Sequence, residues 1–251
     1  QIWVIDDGST DGTPTFVRRE YPEVRLITQP NAGVSAARNR GIRETAADWV
    51  VLLDSDDAWA PRKLELQMRA LAEAPGVRIC HTEEIWIRNG RRVNQMKKHR
   101  KTGGWLFERS LKLCCISPSS VVLHRSLFHE YGLFDEALPA CEDYDLWLRL
   151  TPHEETVFVD TPVTIKYGGH EDQLSRAFWG MDRFRIYAIE KALTAGELGP
   201  DQRRSALTVL VKKLEIMLGG AKKRGNQQIV DEYTPKLLSW TEVLEAACVG
   251  S

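Results

Sequence analysis

The chain has 251 residues, with 34 Lys and Arg against 35 Asp and Glu for a net charge of −1, and 43% of it is hydrophobic. That is an ordinary globular composition, long enough for one large or two intimate domains of the usual ~100–200 residues. The near-neutral balance excludes a general polyanion binder, so no nucleic-acid partner is expected and any basic function must be local. The longest clean apolar run, Trp49 to Leu53, falls far short of the roughly 20 residues that cross a bilayer. Five scattered cysteines (Cys80, Cys114, Cys115, Cys141 and Cys248) show no metal-ligand spacing, and the adjacent pair cannot bridge easily without strain. Reduced thiols in a cytoplasmic protein are therefore expected. The chain starts on Gln with no secretory signal in view, so its true N-terminus is expected to lie further upstream.

In chain order, Ile2 to Ile5 reads as a short buried strand ending in Asp6-Asp7-Gly8-Ser9. Thr13 can cap a helix that has Pro14 at its first position. Val24 to Ile27 is the next strand, and the Ala-rich stretch from Gly33 to about Thr45 is helical. Five consecutive apolar residues, Trp49 to Leu53, suggest a central parallel strand covered on both faces. Pro61 opens a helix with Leu64, Met68 and Leu71 on one face. Such strand–helix alternation predicts a parallel α/β sheet. Ile79 to Ile87 and Val93 flank Asn89-Gly90, a strong hairpin signal. A short helix over Gly104 to Leu111, a strand over Ser119 to Leu123, a helix over Glu142 to Leu150 and strands near Val157 and Val163 follow. From Phe178 the chain reads as helical, with Leu207, Leu210, Leu214 and Met217 at helical spacing and another helix after Pro235.

Four groups of residues could carry chemistry. Asp6 to Thr13 sits at a strand end, where open parallel sheets bind ligands; a polar turn with a helix cap is the plainer reading. Leu53-Asp54-Ser55-Asp56-Asp57 follows the most apolar strand. Three crowded carboxylates repel one another unless a cation or polar ligand is present, which favours a metal–phosphate site over simple capping before Pro61. Glu142-Asp143-Tyr144-Asp145 opens a helix, where carboxylates suit the helix N-terminus and one could also act as a general base. His170 follows two glycines and is either structural or a metal ligand. Between Arg88 and Lys101 lie seven Lys and Arg and no acid. That run is a solvated hairpin or a contact for a phosphorylated or membrane-surface acceptor. Trp105 and Trp179 are core residues or platforms for sugar.

Taken together and in this order, these blocks resemble the family-2 glycosyltransferases. The matching segments are Val4 to Asp11, Asn31 to Ile42, Leu53 to Asp57, Gly132 to Glu136 and Glu142 to Arg149, within about residues 1–175. The resemblance implies an α/β fold of the glycosyltransferase A type, a Rossmann-like mixed sheet with a C-terminal helical appendage. It implies a donor-binding part over 1–104, an acceptor-binding and catalytic part over 105–177, and a helical tail over 178–251. Beyond the resemblance, the apolar helical faces of 178–251 predict that the tail packs on the sheet domain or makes a homodimer.

The implied activity is metal-dependent transfer of a sugar from a nucleotide-sugar donor, a UDP-sugar first, to a carbohydrate or lipid-linked acceptor hydroxyl with inversion. Asp7 matches the residue that recognises the nucleotide base, Arg38 lines the base and phosphate side, and Asp54 lies near the ribose. Asp56 holds Mn²⁺ or Mg²⁺ through its DXD motif, with His170 as a further metal ligand, and Asp143 is the catalytic base. A peripheral contact with the inner membrane face goes with a lipid-linked acceptor. Family members begin with a further strand and helix that this sequence does not show. The rivals are a phosphatase of the haloacid dehalogenase type, disfavoured by Ala58 and by the strands preceding the Asp-x-Asp, and an inactive nucleotide-sugar-binding scaffold, against which Asp54, Asp56 and Asp143 stand.

Overall fold

A computed structural model describes residues 1–169, 178 and 180–249. Strand β1 (Trp3–Asp7) pairs in parallel with β2 (Arg25–Gln29), Trp3 opposite Arg25 and Asp7 opposite Gln29. Helix α1 (Thr13–Glu20) connects them, and α2 (Val34–Glu44) follows. The second sheet contains β3 (Trp49–Val51), β4 (Ala58–Trp59), β5 (Ile79–Arg88), β6 (Arg91–Val93), β7 (Gly104–Trp105), β8 (Val121–His124) and β9 (Glu155–Gly168). Its order is β3-β8-β5-β9-β4, with β6 on β5 and β7 on β9. Helices α3 (Lys63–Ala72), α4 (Phe107–Lys112), α5 (Ser126–Glu130) and α6 (Glu142–Leu150) lie between the strands. The tail is α7 (Asp182–Ala195), α8 (Pro200–Lys223) and α9 (Gln227–Val249).

The Asn-Gly hairpin forms as its chemistry requires. Arg88 pairs with Arg91, and Asn89 and Gly90 take φ of 49° and 73°. Those left-handed positions suit the tight turn whose twist matches the flanking strands. The sheet is mixed rather than purely parallel: β5–β9 is parallel, while β3–β8, β5–β8 and β4–β9 are antiparallel. The expected central strand, β3, bonds only β8 among the described residues. Its apolar run describes burial, not the direction of its neighbour. The two strands expected near Val157 and Val163 are one 14-residue strand, β9, which spans β5 with register shifts around Thr82–Glu84.

Helix α3 buries an unexpected face. Leu64 and Met68 are exposed, whereas Lys63, Gln67 and Leu71 are inside. Gln67 Nε2 donates to the carbonyls of Cys80 and Ser120 at 3.0 Å each, and Lys63 Nζ donates to Gln67 Oε1 at 2.8 Å. The lysine lies over the Trp59 ring at 4.3 Å. Long-range carbonyl partners therefore set this face, and apolar periodicity could not reveal them. Burial drives the Lys63 ammonium down to about 7. Between pH 7 and the unfolded value of 10.5 the unfolded chain binds the extra proton, so stability rises with pH across that window. Denaturant melts at stepped pH should show this rise in wild type and a flatter profile in Lys63→Met.

The tail packs on α4 and α6. Phe107, Leu111, Tyr144 and Leu148 share one core with Ile186, Ile189, Leu207, Leu210 and Leu214. Helix α9 runs through Pro235 instead of starting after it. Packing of Leu237, Trp240 and Leu244 on that core offsets the hydrogen bond a proline removes. No helix among the described residues is long and apolar enough to cross a membrane.

Candidate active site

Carboxylates stand at the end of β1, just after β3 and at the start of α6. Gly8, at φ 82°, brings the Asp-Asp-Gly-Ser turn against the next loop; a Cβ there would lie 2.8 Å from the Asn31 nitrogen. Asp7 clasps that loop. Its Oδ1 accepts from Gln29 Nε2 at 2.8 Å and Ala32 N at 2.9 Å, its Oδ2 from Gly33 N at 2.8 Å. Asp7 thus shapes the 30–33 loop through both oxygens.

Carboxylate oxygens of Asp54, Asp56 and Asp57 lie within 4.8 Å of one another. This all-oxygen set fits a hard divalent cation. Ser119 Oγ accepts from the Asp54 nitrogen at 3.1 Å, fixing where the acidic loop leaves the sheet. The β4–β9 register, Ala58 opposite Ile165, brings Lys166 beside Asp57 one step along the ladder. The ammonium is 3.0 Å from Asp57 Oδ2 and 4.0 Å from Asp54 Oδ2. Burial raises Asp57 above the usual carboxylate range, against the pull of Lys166. Burial also opposes ionisation of Asp54, but Arg38 and then Lys166 outweigh it and hold Asp54 below that range.

Arg38, on α2, joins the two halves. Its guanidinium donates to Asp54 Oδ1 and to Glu142 Oε1, each at 2.6 Å, and lies 5.2 Å from the Phe134 ring centre. Burial works against its charge, but the two carboxylates push its value above the ordinary one. Glu142 is raised by burial and by Asp143, against Arg38. Asn39, one residue on, donates to the Phe134 carbonyl at 2.9 Å and accepts from the Phe134 nitrogen at 3.0 Å. That explains the Gly132–Glu136 block as a clamp on α2.

Asp143 is half-buried in the first turn of α6. The preceding Cys141 has a left-handed φ of 62°, a conformation that costs a non-glycine residue energy and concentrates at functional sites. Asp143 Oδ1 accepts from the Tyr144 nitrogen at 2.7 Å, and Oδ2 accepts from the Cys114 thiol at 3.0 Å. Burial, then the Asp143 charge, push that thiol far up, so Cys114 stays a protonated donor.

The structure therefore brings together Arg38, Asp54 and Asp56 and ties Arg38 to the helix that carries Asp143, while Asp7 stands at the end of β1 in the β1–β2 sheet. His170 and Trp179 lie outside the described residues. Trp105 is 65% exposed. Glu142 as the second Arg38 partner, Cys114, Ser119 and Lys166 were not found from the sequence. Each acts through a fold contact that no local motif announces.

The model of the family described as "Glycosyl transferase family 2" matches residues 1–132. The chain is 41% identical over 230 residues to the succinoglycan biosynthesis protein ExoO of Rhizobium meliloti, covering 86% of this chain and 63% of that protein. It is 30% identical over 153 residues to the UDP-Glc:alpha-D-GlcNAc-diphosphoundecaprenol beta-1,3-glucosyltransferase WfgD of Escherichia coli, covering 60% of this chain and 57% of WfgD. It spans only about a quarter of some other curated relatives, such as the 25% of an uncharacterized glycosyltransferase of Rickettsia felis. In fold, it superposes on S. aureus TarS residues 1–349, solved with UDP-GlcNAc, with a TM-score of 0.68 at 18% identity, covering 98% of this chain and 72% of TarS. The strand-end carboxylates, the mixed sheet and the family match over more than half the chain agree: this chain belongs to glycosyl transferase family 2.

Proposed function

We propose that the chain transfers a sugar from a nucleotide-sugar donor, a UDP-sugar first, to the hydroxyl of a carbohydrate or lipid-linked acceptor in polysaccharide biosynthesis. The observation that carries this reading is the Arg38 bridge, which fixes the Asp54–Asp57 carboxylates and the Asp143 helix as one unit. The loop clasped by Asp7 would face the nucleotide base, with Asp54 toward the ribose. Asp56, with Asp54 and Asp57 beside it, would hold a Mn²⁺ or Mg²⁺ ion, which supplies Lewis-acid stabilisation of a leaving diphosphate. WfgD by its name uses UDP-Glc, and a mannosyltransferase of Pyrobaculum calidifontis with a TM-score of 0.55 was solved with GDP-Man and Mn²⁺.

Asp143 accepts the acceptor's proton at a carboxylate oxygen. Cys114 and the Tyr144 nitrogen aim the group, and a hydroxyl becomes a competent nucleophile only as that proton leaves. One base suffices for a single displacement with inversion, and no covalent nucleophile is required of the protein. A panel of nucleotide sugars screened with Mn²⁺ tests the reading. Release of nucleoside diphosphate from one donor, abolished by chelation, is expected; no turnover and no binding of any donor would contradict it. Asp56→Ala should weaken Mn²⁺-dependent UDP binding at least tenfold by calorimetry while the melting temperature holds, because it removes one oxygen ligand of an exposed site.

A further inference from the structure

The basic run yields an assignment that the donor site does not use. Of its seven cations, Lys101 is internal, 3.1 Å from Glu84 and donating to the Cys115 carbonyl at 3.2 Å. Lys97 and Lys98 are exposed instead. They line an open cleft of about 410 Å³ with Glu108, Arg109, Lys112 and Leu113. Four cations face one carboxylate there. No ion pair engages Lys97, Lys98 or Lys112 among the described residues, and Arg109 bonds only a neutral partner, Thr102 Oγ1 at 3.2 Å. The surplus field reaches neighbouring groups. After burial, the charges of Lys98, Lys101 and Arg109 hold the His99 imidazole below its ordinary value.

The cleft adjoins Asp143 through one chain step. Leu113 is followed by Cys114, whose thiol donates to Asp143. His99, next to Lys98, is tilted against Trp86 with ring centres 5.4 Å apart, and Trp86 pairs across the ladder with Lys166, the lysine at Asp57. An anion seated between α4 and the 97–98 turn would have Leu113 and Cys114 between it and Asp143.

We propose that this cleft binds a phosphate or diphosphate group of the acceptor, so that the acceptor is a phosphorylated saccharide, free or lipid-linked. This rests on the glycosyl-transfer reading and names its acceptor class. Ammonium groups on flexible stems suit such a group as point charges.

The test titrates inorganic pyrophosphate by calorimetry in EDTA, so that the acidic triad has no metal with which to bind it. Wild type and the triple variant Lys97→Gln, Lys98→Gln, Lys112→Gln are compared, with UDP plus Mn²⁺ as a separate titration. Saturable pyrophosphate binding in wild type, weakened at least tenfold in the variant while UDP binding stays within twofold, is the expected result. Pyrophosphate that does not bind wild type, or binds both proteins equally, overturns the assignment even if UDP still binds and the donor reading stands. Flotation with phosphatidylcholine vesicles containing 30% phosphatidylglycerol separates the sources. Vesicle binding that the variant loses, with no pyrophosphate binding in either protein, makes the cleft a membrane-docking surface and overturns the acceptor assignment. Vesicle binding equal in both proteins, beside pyrophosphate binding lost in the variant, supports it.

Discussion

Asp143→Asn should lower the rate of sugar transfer by about 10²–10⁴, the usual worth of a general base. The substitution keeps the size of the side chain and its contact with the Tyr144 nitrogen, but removes the basicity that takes the acceptor's proton. UDP binding with Mn²⁺ should hardly change, because the acidic triad lies on another element. Glu142→Gln is a different experiment, although the two residues are adjacent. It breaks a buried ion pair with Arg38, so its loss should appear in stability as well as in rate. Steady-state transfer assays and thermal melts on both variants separate the two roles. Near wild-type turnover in Asp143→Asn would remove Asp143 from the chemistry.

Arg38→Met should be the most destabilising single change at the site. It strands Asp54 and Glu142, whose side chains are 25% and 6% exposed. Removing one partner of a buried charge cluster costs about 3–5 kcal/mol. For a chain of this size that is a fall in Tm of about 6–20 °C. The pH dependence has a definite sign. In wild type Asp54 is held below its ordinary value, so it contributes stability above the unfolded value near 3.9 and loses it as pH falls through the folded one. The gap between wild type and Arg38→Met should therefore narrow below about pH 4. Adding Glu142→Gln to Arg38→Met should recover part of the loss, since it removes one stranded charge. Melts from pH 7 to pH 3 check all three statements; a variant as stable as wild type would show that the bridge holds nothing together.

The order of motifs made the architecture legible in the sequence. Apolar strands ending in Asp6-Asp7-Gly8 and Asp54-Ser55-Asp56-Asp57, and the Asn89-Gly90 turn, are local signals, and the chain folds locally as they say. What stayed hidden depends on distant partners. Arg38 lies 104 positions from Glu142, Cys114 lies 29 from Asp143, and Lys166 reaches Asp57 only because β9 pairs with β4. The burial of Lys63 and Gln67 over Leu64 and Met68 has the same origin: two distant main-chain carbonyls, of Cys80 on β5 and of Ser120 just before β8, needed a donor. Apolar periodicity reports which face prefers oil, and it is silent where a polar side chain satisfies buried backbone.

The most direct measurement is a calorimetric titration of UDP into the wild-type protein, first with Mn²⁺ and then with EDTA in its place. Saturable binding near one equivalent that weakens at least tenfold when the metal is removed is the predicted result, because the acidic triad has no attraction for a diphosphate without a cation between them. Absence of binding in both conditions, or equal binding in both, would contradict a nucleotide-sugar site at these strand ends.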